Sequence, residues 1–238
     1  MASIKTIINL FKKGNVSICG KKGRGKDMLT ANVIVRRKLP YVSNINYGGE
    51  YIPFNFSDFD TNNTYDNFIS GNVNYYKFPF PDKTDVYLSD CGLYFPSQEQ
   101  KELCKRYDSF IPFMALSRQL GLSNVHTNAQ YLNRVWDKLR EQSDIYIGCQ
   151  SCKVLFGKFV FQKVRVYEKY ESALNNVAPF RMNVPLFVNK QTKLTIELAK
   201  TSYINTHGII KTLNLFYLNK SNYDTRFFNK YLLGGKKL

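Results

Sequence analysis

The residues with the most specific chemistry are those at positions 20–27, which read GKKGRGKD. They follow the Walker A pattern G-x-x-x-x-G-K of phosphate-binding loops, with Asp27 where a serine or threonine is usual. A short apolar run, Val16 to Cys19, precedes the loop, and a helix-compatible run, Met28 to Arg37, follows it. The glycines let several backbone N–H groups point at one anion, and the following helix N-terminus adds partial positive charge. The segment therefore predicts a site for the phosphates of ATP.

Each residue of this loop has an expected role. Lys26 is expected to reach the outer phosphates and to act in catalysis, and Asp27 is expected to bind Mg²⁺ in place of the usual hydroxyl. The predicted nucleotide-binding residues are Gly20, Gly23, Arg24, Gly25, Lys26, Asp27 and Met28. A chance match is the alternative interpretation, because the chain is rich in lysine.

A second candidate element is the apolar run from Val86 to Ser89, which ends in the carboxylate of Asp90. In ATPases with this loop, a second strand ends in an aspartate that holds the Mg²⁺ shell. Because parallel strands place their carboxyl ends at one edge of the sheet, Asp90 is expected beside Lys26. Asp90 is therefore predicted to be a catalytic residue and a metal ligand.

A third candidate element is the polar run at residues 123–130, which is expected to form a short strand and to end in Gln130. A glutamine at the end of such a strand can orient the attacking water or sense the γ-phosphate, so Gln130 is predicted to be catalytic. The alternative is a polar cluster that caps a helix and has no catalytic role.

Two arginines and one cysteine pair are further candidates. Arg118 and Arg140 would project toward a neighbouring subunit as arginine fingers, or lie at the surface in ion pairs. Cys149 and Cys152 have C-x-x-C spacing, but no second pair and no suitably spaced histidine accompanies them. A structural role is therefore favoured over a metal or redox role for the pair.

Alternating strand-like and helix-like segments predict an α/β fold that positions these residues. The expected strands are Val16–Cys19, Tyr41–Ile45, Val86–Ser89, Asn124–Asn128, Ile145–Cys149, Val154–Phe156 and Phe159–Val166. The expected helices are Ile4–Lys13, Asp27–Arg37, Phe110–Leu120 and Leu132–Glu141, the last with Val135, Trp136 and Leu139 inward. Ser97 is expected to cap a further helix, and residues 48–82 are expected to be irregular.

Composition indicates an anionic partner. The chain has 238 residues, enough for one large α/β domain, and a net charge of +16. DNA and the inner face of a membrane both fit this charge, although A/T-rich codons would also enrich lysine. No apolar run is long enough for a transmembrane helix, no secretory signal is visible, and five cysteines fit a reducing interior. We expect a location in the cytoplasm.

The two ends of the chain differ from its middle. Ile4, Ile7, Ile8 and Phe11 lie on one face of the N-terminal helix, which either packs on the domain or contacts a membrane surface. Residues 177–238 contain ten basic and two acidic residues. Aromatic residues interleaved with lysine, as in residues 216–220, predict a surface that stacks bases, with ordinary amphipathic elements as the alternative.

The order of the motifs resembles a known family. The phosphate-binding loop is followed by SNI at 43–45, LSDCGLYFP at 88–96, LSRQLG at 116–121, TNAQ at 127–130 and the run from Arg134 to Glu141. This order is similar to that of the zonula occludens toxin-like (Zot) domain of filamentous-phage assembly ATPases, within the FtsK/HerA class of P-loop NTPases. The resemblance covers residues 15–170, between an N-terminal helix at 1–14 and a basic, aromatic-rich C-terminal region at 171–238.

The resemblance implies a three-layer α/β/α P-loop NTPase with a mostly parallel sheet, plus a small basic C-terminal extension. It also implies ATP and Mg²⁺ as cofactors, contact with DNA without regard to sequence, a ring-forming homo-oligomer, and partners among viral coat or assembly proteins. A host inner-membrane surface is a further implied partner. The activity implied is ATP hydrolysis that drives DNA translocation, packaging or virion assembly and extrusion.

Two residues depart from the family pattern. Cys91 stands where the family has the glutamate that polarises the attacking water, and Asp27 stands at the metal position. Glu99 or Glu102 would have to replace the missing glutamate. Two alternatives therefore stay open: a catalytically degenerate nucleotide- and DNA-binding assembly protein, and a phage nucleotide kinase with a Gly-Lys-Asp loop.

Overall fold

A mixed β-sheet organises the fold. The structure, a computed structural model, describes residues 2–54, 81–102, 123–178 and 189–221. Within these residues the strands are β1 (Val16–Cys19), β2 (Tyr41–Ser43), β3 (Tyr51–Pro53), β4 (Asp85–Leu88), β5 (Val125–Ala129), β6 (Ile145–Leu155), β7 (Phe159–Tyr167) and β8 (Lys211–Leu218). They lie in the order β3-β2-β4-β5-β1-β6-β7-β8. The strands from β3 to β6 run parallel and the last two are antiparallel, which confirms the predicted α/β fold with a mostly parallel sheet.

The described helices connect and cover these strands. They are α1 (Ile4–Lys13), α2 (Lys26–Arg37), α3 (Cys91–Tyr94), α4 (Asp137–Glu141), α5 (Tyr170–Leu174) and α6 (Lys190–His207). Two short 3₁₀ turns lie at Ser97–Glu99 and Leu132–Arg134. In the described part of the chain, none of these helices has both the length and the apolar character needed to cross a membrane.

Each face of the sheet contributes residues to a buried cluster. On one face, Ile4, Ile7 and Phe11 of α1 pack with α2 and the inward residues of β1, β6, β7 and β8 in one core cluster. On the other face, residues of β6, β7 and α5 form a second cluster, which includes Tyr146 and Tyr167. Helices therefore lie on both sides of the sheet. Of the two interpretations of the apolar face of α1, the structure shows packing on the domain.

Described segments near both ends of the sequence join the same sheet. β8 pairs with β7 along its whole length, from Val166 opposite Lys211 to Phe159 opposite Leu218. Ala2 forms a further isolated bridge with Leu215. The division of the chain at residues 14 and 170 stays a prediction. β8, which follows residue 170, belongs to the same sheet as the strands before it.

The predicted helix Leu132–Glu141 is interrupted. Val135 has extended backbone angles, with ψ of 139°, between a 3₁₀ turn and α4. It forms an antiparallel bridge with Pro96, and the N–H of Trp136 donates to the carbonyl of Phe95 at 2.8 Å. This pairing with a distant segment replaces the helical hydrogen bonds, although Val135, Trp136 and Leu139 are buried as expected.

Three further expectations need comment. Ser97 does not cap a helix, because its hydroxyl donates to the carbonyl of Asn133 at 2.9 Å. The strands expected at Ile145–Cys149 and Val154–Phe156 are one continuous strand, β6, whose pairing with β7 shifts register between Cys149 and Ser151. The expected helix Phe110–Leu120 and most of the expected irregular segment lie outside the described residues.

Candidate nucleotide-binding site

The loop between β1 and α2 has the backbone of an anion site. Gly25, the residue before α2, is left-handed at φ of 80°, and a Cβ there would lie 2.6 Å from the Cβ of Cys152. The first helical hydrogen bond runs from the N–H of Leu29 to the carbonyl of Gly25 at 2.9 Å. The N–H groups of Lys26, Asp27 and Met28 therefore precede the helical ladder and remain available to an anion.

Lys26 supplies a positive charge beside this backbone. The residue is only 6% exposed. Within the described residues, its ammonium group makes no hydrogen bond and lies within salt-bridge distance of no carboxylate. A phosphate oxygen bound at the loop would give this ammonium group a partner. The predicted role of Lys26 thus fits its surroundings.

Asp27 is held in one orientation by two neighbours that the sequence did not mark as site residues. Its Oδ1 accepts hydrogen bonds from Asn128 Nδ2 at 2.7 Å and from the Tyr47 hydroxyl at 3.4 Å. Its Oδ2 makes no hydrogen bond to any described residue, and the buried Oδ1 of Asn128 also lacks a partner there. These oxygens are of the kind that Mg²⁺ binds directly or through water, so the residues present fit the predicted metal.

Asp90 lies close to Asp27, as the sequence predicted. The residue follows β4 and adopts left-handed backbone angles, with φ of 51°. Burial raises the pKa of its carboxyl group, the negative charge of Asp27 raises it further, and Lys26 opposes both effects. Two carboxylates that repel each other beside a phosphate site are the arrangement that a divalent cation relieves.

The strand that carries Asp90 is fixed to its neighbour by a reciprocal pair of hydrogen bonds. Asn44 Nδ2 donates to the carbonyl of Ser89 at 2.8 Å, and the N–H of Ser89 donates to Asn44 Oδ1 at 2.8 Å. The Tyr47 hydroxyl also pairs with the Ser89 hydroxyl. The residue next to Asp90 is thus locked to the loop after β2, which keeps the carboxylate at the sheet edge.

Cys91 does not replace the missing glutamate. The side chain is fully buried, and its Sγ donates to the carbonyl of Leu88 at 3.2 Å. Burial raises the pKa of the thiol to about 12, so it is neutral near pH 7. Glu99 and Glu102, the two other candidates for the base, are both exposed.

Gln130 lies at the mouth of the site. The residue is exposed and lines two cavities. The larger, of about 390 Å³, is also lined by Gly20 and Arg24, and the smaller, of about 150 Å³, by Asp90 and Arg134. Gln130 thus borders both the phosphate loop and Asp90, and its role in positioning water stays a prediction.

The arginines divide into three cases. Arg140 donates to the carbonyl of Val135 at 3.0 Å and lies 4.5 Å from the ring centroid of Tyr170, which favours a structural role. Arg118 lies outside the described residues. Arg134, which begins the last run of the family-like motif order, is exposed and lines the smaller cavity with Asp90. Arg24, within the loop itself, is also exposed and lines the larger cavity, so two described arginines line the cavities of the site.

The antiparallel strands support the loop from behind, which the sequence did not reveal. Gln162 of β7 is only 2% exposed. Its Nε2 donates to the carbonyls of Gly25 at 2.9 Å and Arg24 at 3.2 Å, and its Oε1 accepts from the Tyr217 hydroxyl of β8 at 2.9 Å. With these carbonyls held from behind, the N–H groups of the loop are free to face the opposite side. The one available signal is a glutamine on the inward face of an otherwise apolar strand.

The C-x-x-C pair serves packing. Cys149 and Cys152 are free thiols, and Cys149 is buried. Burial raises the pKa of both thiols, which disfavours the thiolate that metal binding or redox chemistry requires. No group of three metal-ligating side chains occurs among the residues that the structure describes. Cys152 instead lies against Gly25, where it closes the back of the loop.

Comparisons with known proteins give structural similarities only. The sequence matches no protein-family profile and no curated protein. The N-terminal domain of zonular occludens toxin from Neisseria meningitidis has a TM-score of 0.44 and 10% identity, over 91% of this chain and 97% of that one. The genome packaging NTPase B204 of Sulfolobus turreted icosahedral virus 2, in complex with ATP-gammaS, has a TM-score of 0.38 and 14% identity, over 74% and 99%. ATPases 2 and 3 of EssC from Geobacillus thermodenitrificans have a TM-score of 0.42 and 13% identity. The match covers 92% of this chain and 42% of that one.

Proposed function

We propose that this chain is a P-loop ATPase that binds ATP with Mg²⁺ and uses its hydrolysis to move or package DNA during virus assembly. The observation that carries the proposal is the unpaired ammonium group of the largely buried Lys26 at the start of α2, with Asp27 and Asp90 beside it. The basic charge of the chain and the resemblance of its motif order support the DNA and assembly parts of the proposal.

The residues of the site have distinct tasks in this proposal. The N–H groups of residues 26–28 and the Lys26 ammonium group hold the β- and γ-phosphates. Asp27 and Asp90 bind Mg²⁺, which when bound neutralises the charge that develops on the phosphates. Gln130 orients water, and Cys152 and Gln162 hold the loop from behind. The partners proposed with this role are DNA of any sequence, further copies of the chain in a ring, and coat or assembly proteins near the host membrane.

A second function is favoured by one specific observation. The thiol of Cys91 is buried and neutral where a catalytic glutamate is expected, so this position supplies no base. A nucleotide-dependent assembly protein would bind ATP and DNA but would not turn ATP over. The two functions share the site and differ only in hydrolysis.

The test measures ATP binding and phosphate release from the same preparations. Binding of a fluorescent ATP analogue and phosphate release are followed with and without Mg²⁺, single-stranded DNA and duplex DNA. The variants are Lys26→Ala, Asp90→Ala and, as a matched control, Lys22→Ala, which removes an exposed lysine from the same loop. We expect Lys26→Ala to abolish binding, Asp90→Ala to abolish the effect of Mg²⁺, and Lys22→Ala to change either by less than about threefold.

The outcomes separate the alternatives. DNA-stimulated phosphate release that both site variants lose supports the ATPase. Binding without release under every condition supports the assembly protein, and phosphate transfer to an added nucleoside monophosphate would identify a kinase. Unchanged ATP affinity in Lys26→Ala would overturn the nucleotide site itself.

A further inference from the structure

The outer face of the antiparallel strands carries a patch of exposed apolar side chains. Phe159 and Phe161 of β7 and Phe216 of β8 are 40%, 36% and 39% exposed, and Phe156 in the preceding turn is 90% exposed. Leu155 and Leu218 extend the patch. We call these six residues, with the lysines between them, the outer aromatic face. The inward residues of the same strands, such as Tyr217, are buried in the core, so Tyr217 is not part of this surface.

The rings of the outer aromatic face are arranged as a ladder. Phe161 lies opposite Phe216 and Phe159 opposite Leu218 in the pairing of β7 with β8. The ring of Phe216 lies 4.6 Å from that of Phe161 and 5.7 Å from that of Phe159, centroid to centroid. The latter pair is stacked, with an angle of 10° between the planes. A rigid sheet therefore presents contiguous flat rings, which lose little conformational freedom when another planar group binds.

Positive charge is interspersed among these rings. Lys153 lies opposite Phe161 in the pairing of β6 with β7. Lys163 lies two residues after Phe161 in β7 and therefore on the same face. Segments 150–165 and 211–220 contain six basic residues, Lys153, Lys158, Lys163, Arg165, Lys211 and Lys220, and no acidic residue. The surface thus combines flat apolar rings with cations that lie on the neighbouring strand or two residues along the same strand.

We infer that the outer aromatic face binds single-stranded nucleic acid, with bases stacked on Phe159, Phe161 and Phe216 and phosphates paired with Lys153 and Lys163. A nucleic acid strand alternates flat bases and phosphates on the scale at which rings and lysines alternate here. Unpaired bases are required, because the bases of a duplex are already stacked on one another. The inference rests on the proposed function, in that it assigns a place to the nucleic acid that the ATPase moves.

Two other occupants fit the face less well. A second copy of the same face would bring its own cations against these and no acidic group to neutralise them. A bilayer interior would bury the ammonium groups that stand between the rings, at a high cost in free energy. The phosphates of a nucleic acid strand, in contrast, pair with these groups directly.

The test uses fluorescence anisotropy with labelled 20-nucleotide oligo-dT, oligo-rU of the same length, and a DNA duplex. The variants are Phe161→Ala with Phe216→Ala, Phe161→Leu with Phe216→Leu, and Lys153→Gln with Lys163→Gln. Lys190→Gln with Lys193→Gln on α6 is the control, because these lysines are also exposed. Binding of the ATP analogue is measured for every variant, which shows whether the fold and the nucleotide site are intact.

We expect the alanine pair to weaken single-strand binding about 10-fold or more, and the leucine pair to weaken it nearly as much, because the rings are lost in both. The lysine pair is expected to reduce the slope of log affinity against log salt by about 1.4. The control is expected to reduce affinity by less than about threefold. Tighter binding of oligo-dT or of oligo-rU would identify the nucleic acid without changing the inference.

Unchanged single-strand affinity in the leucine pair, or tighter binding of the duplex than of the single strands, would overturn the inference. Binding to anionic vesicles and self-association are measured for the alanine pair as well. If this variant lost either of them while it kept its oligonucleotide affinity, the inference would also be overturned. If the variants of the outer aromatic face lose single-strand binding while Lys26→Ala retains ATP affinity, the nucleic acid surface is supported and the proposed ATPase is refuted. If only Lys26→Ala loses its ligand, the ATP site stands and the surface fails.

Discussion

Replacing Gln162 by leucine tests whether the antiparallel strands hold the phosphate-binding loop in shape. The substitution keeps the volume of the side chain approximately and removes its donors and acceptor. The carbonyls of Gly25 and Arg24 lose the Nε2 that now lies 2.9 Å and 3.2 Å away, and the Tyr217 hydroxyl loses its acceptor at 2.9 Å.

The magnitude follows from these three contacts. A hydrogen bond between neutral groups contributes about 1 kcal/mol net, and an unsatisfied buried polar group costs about 1–3 kcal/mol. The free energy of unfolding is therefore expected to fall by about 3 kcal/mol. Only the two bonds to the loop carbonyls bear on the shape of the site, and about 2 kcal/mol corresponds to an ATP affinity about 30-fold weaker.

Two variants serve as controls for Gln162→Leu. Tyr217→Phe removes the hydroxyl but leaves both bonds from Gln162 to the loop, so it is expected to lower stability by about 1–2 kcal/mol and to weaken ATP binding by less than about threefold. Gln191→Leu makes the same chemical change at an exposed position on α6. Stability is measured by urea denaturation, and affinity by titration with a fluorescent ATP analogue under conditions where each variant is folded. An ATP affinity within twofold of the parent in folded Gln162→Leu would refute the reasoning, because the loop would then keep its shape unaided.

Three further predictions concern the loop and its carboxylates. Gly25→Ala is expected to lower stability and ATP affinity far more than Gly23→Ala, as measured by urea denaturation and by titration with the ATP analogue. Both glycines have left-handed backbone angles, but only Gly25 has no room for a Cβ. Burial and the charge of Asp27 raise the pKa of Asp90, so the contribution of Asp90 to stability is present below the ordinary aspartate pKa and is lost as pH rises through its raised value. Mg²⁺ requires the carboxylate, so Mg²⁺-dependent ATP affinity should increase over that range, and Asp27→Asn should lower the pKa of Asp90 in a ¹³C NMR titration. Cys91→Glu is expected to cost about 3 kcal/mol or more in urea denaturation and to leave phosphate release no faster, because the new carboxylate would be buried; faster release in a stable protein would contradict the assigned environment.

The sequence predicts the parts of the site that depend on local pattern. The strand Val16–Cys19 has the predicted bounds, and α2 begins one residue before the expected Asp27. Glycines, an apolar run and a helix start are signals within about 20 neighbouring residues, so they can be recognised without knowledge of the rest of the fold. The proximity of Asp90 follows from one further rule, that parallel strands end at a common edge.

The parts that the sequence does not predict depend on contacts between distant segments. Gln162 is 137 residues from Gly25, and Asn128 is 101 residues from Asp27. No local pattern pairs such residues, and a single glutamine or asparagine on a strand is ordinary. The interruption at Val135 has the same origin, because it depends on pairing with Pro96 rather than on the helix propensity of its own segment.

The alternation of side chains in β7 and β8 places the proposed nucleic acid surface and the support of the phosphate loop on opposite faces of the same two strands. In β7, Gln162 lies between two residues of the outer aromatic face, Phe161 and Lys163, and in β8, Tyr217 lies between Phe216 and Leu218. A base stacked on the outside therefore lies one residue from the side chains that hold the carbonyls of the loop on the inside. β8 is also continuous with Asn219, which accepts a hydrogen bond from Asn32 of α2 at 2.8 Å. A strand that shifts when nucleic acid binds would move both the loop and the helix that follows it, so these short contacts provide a direct physical path between the two proposed sites.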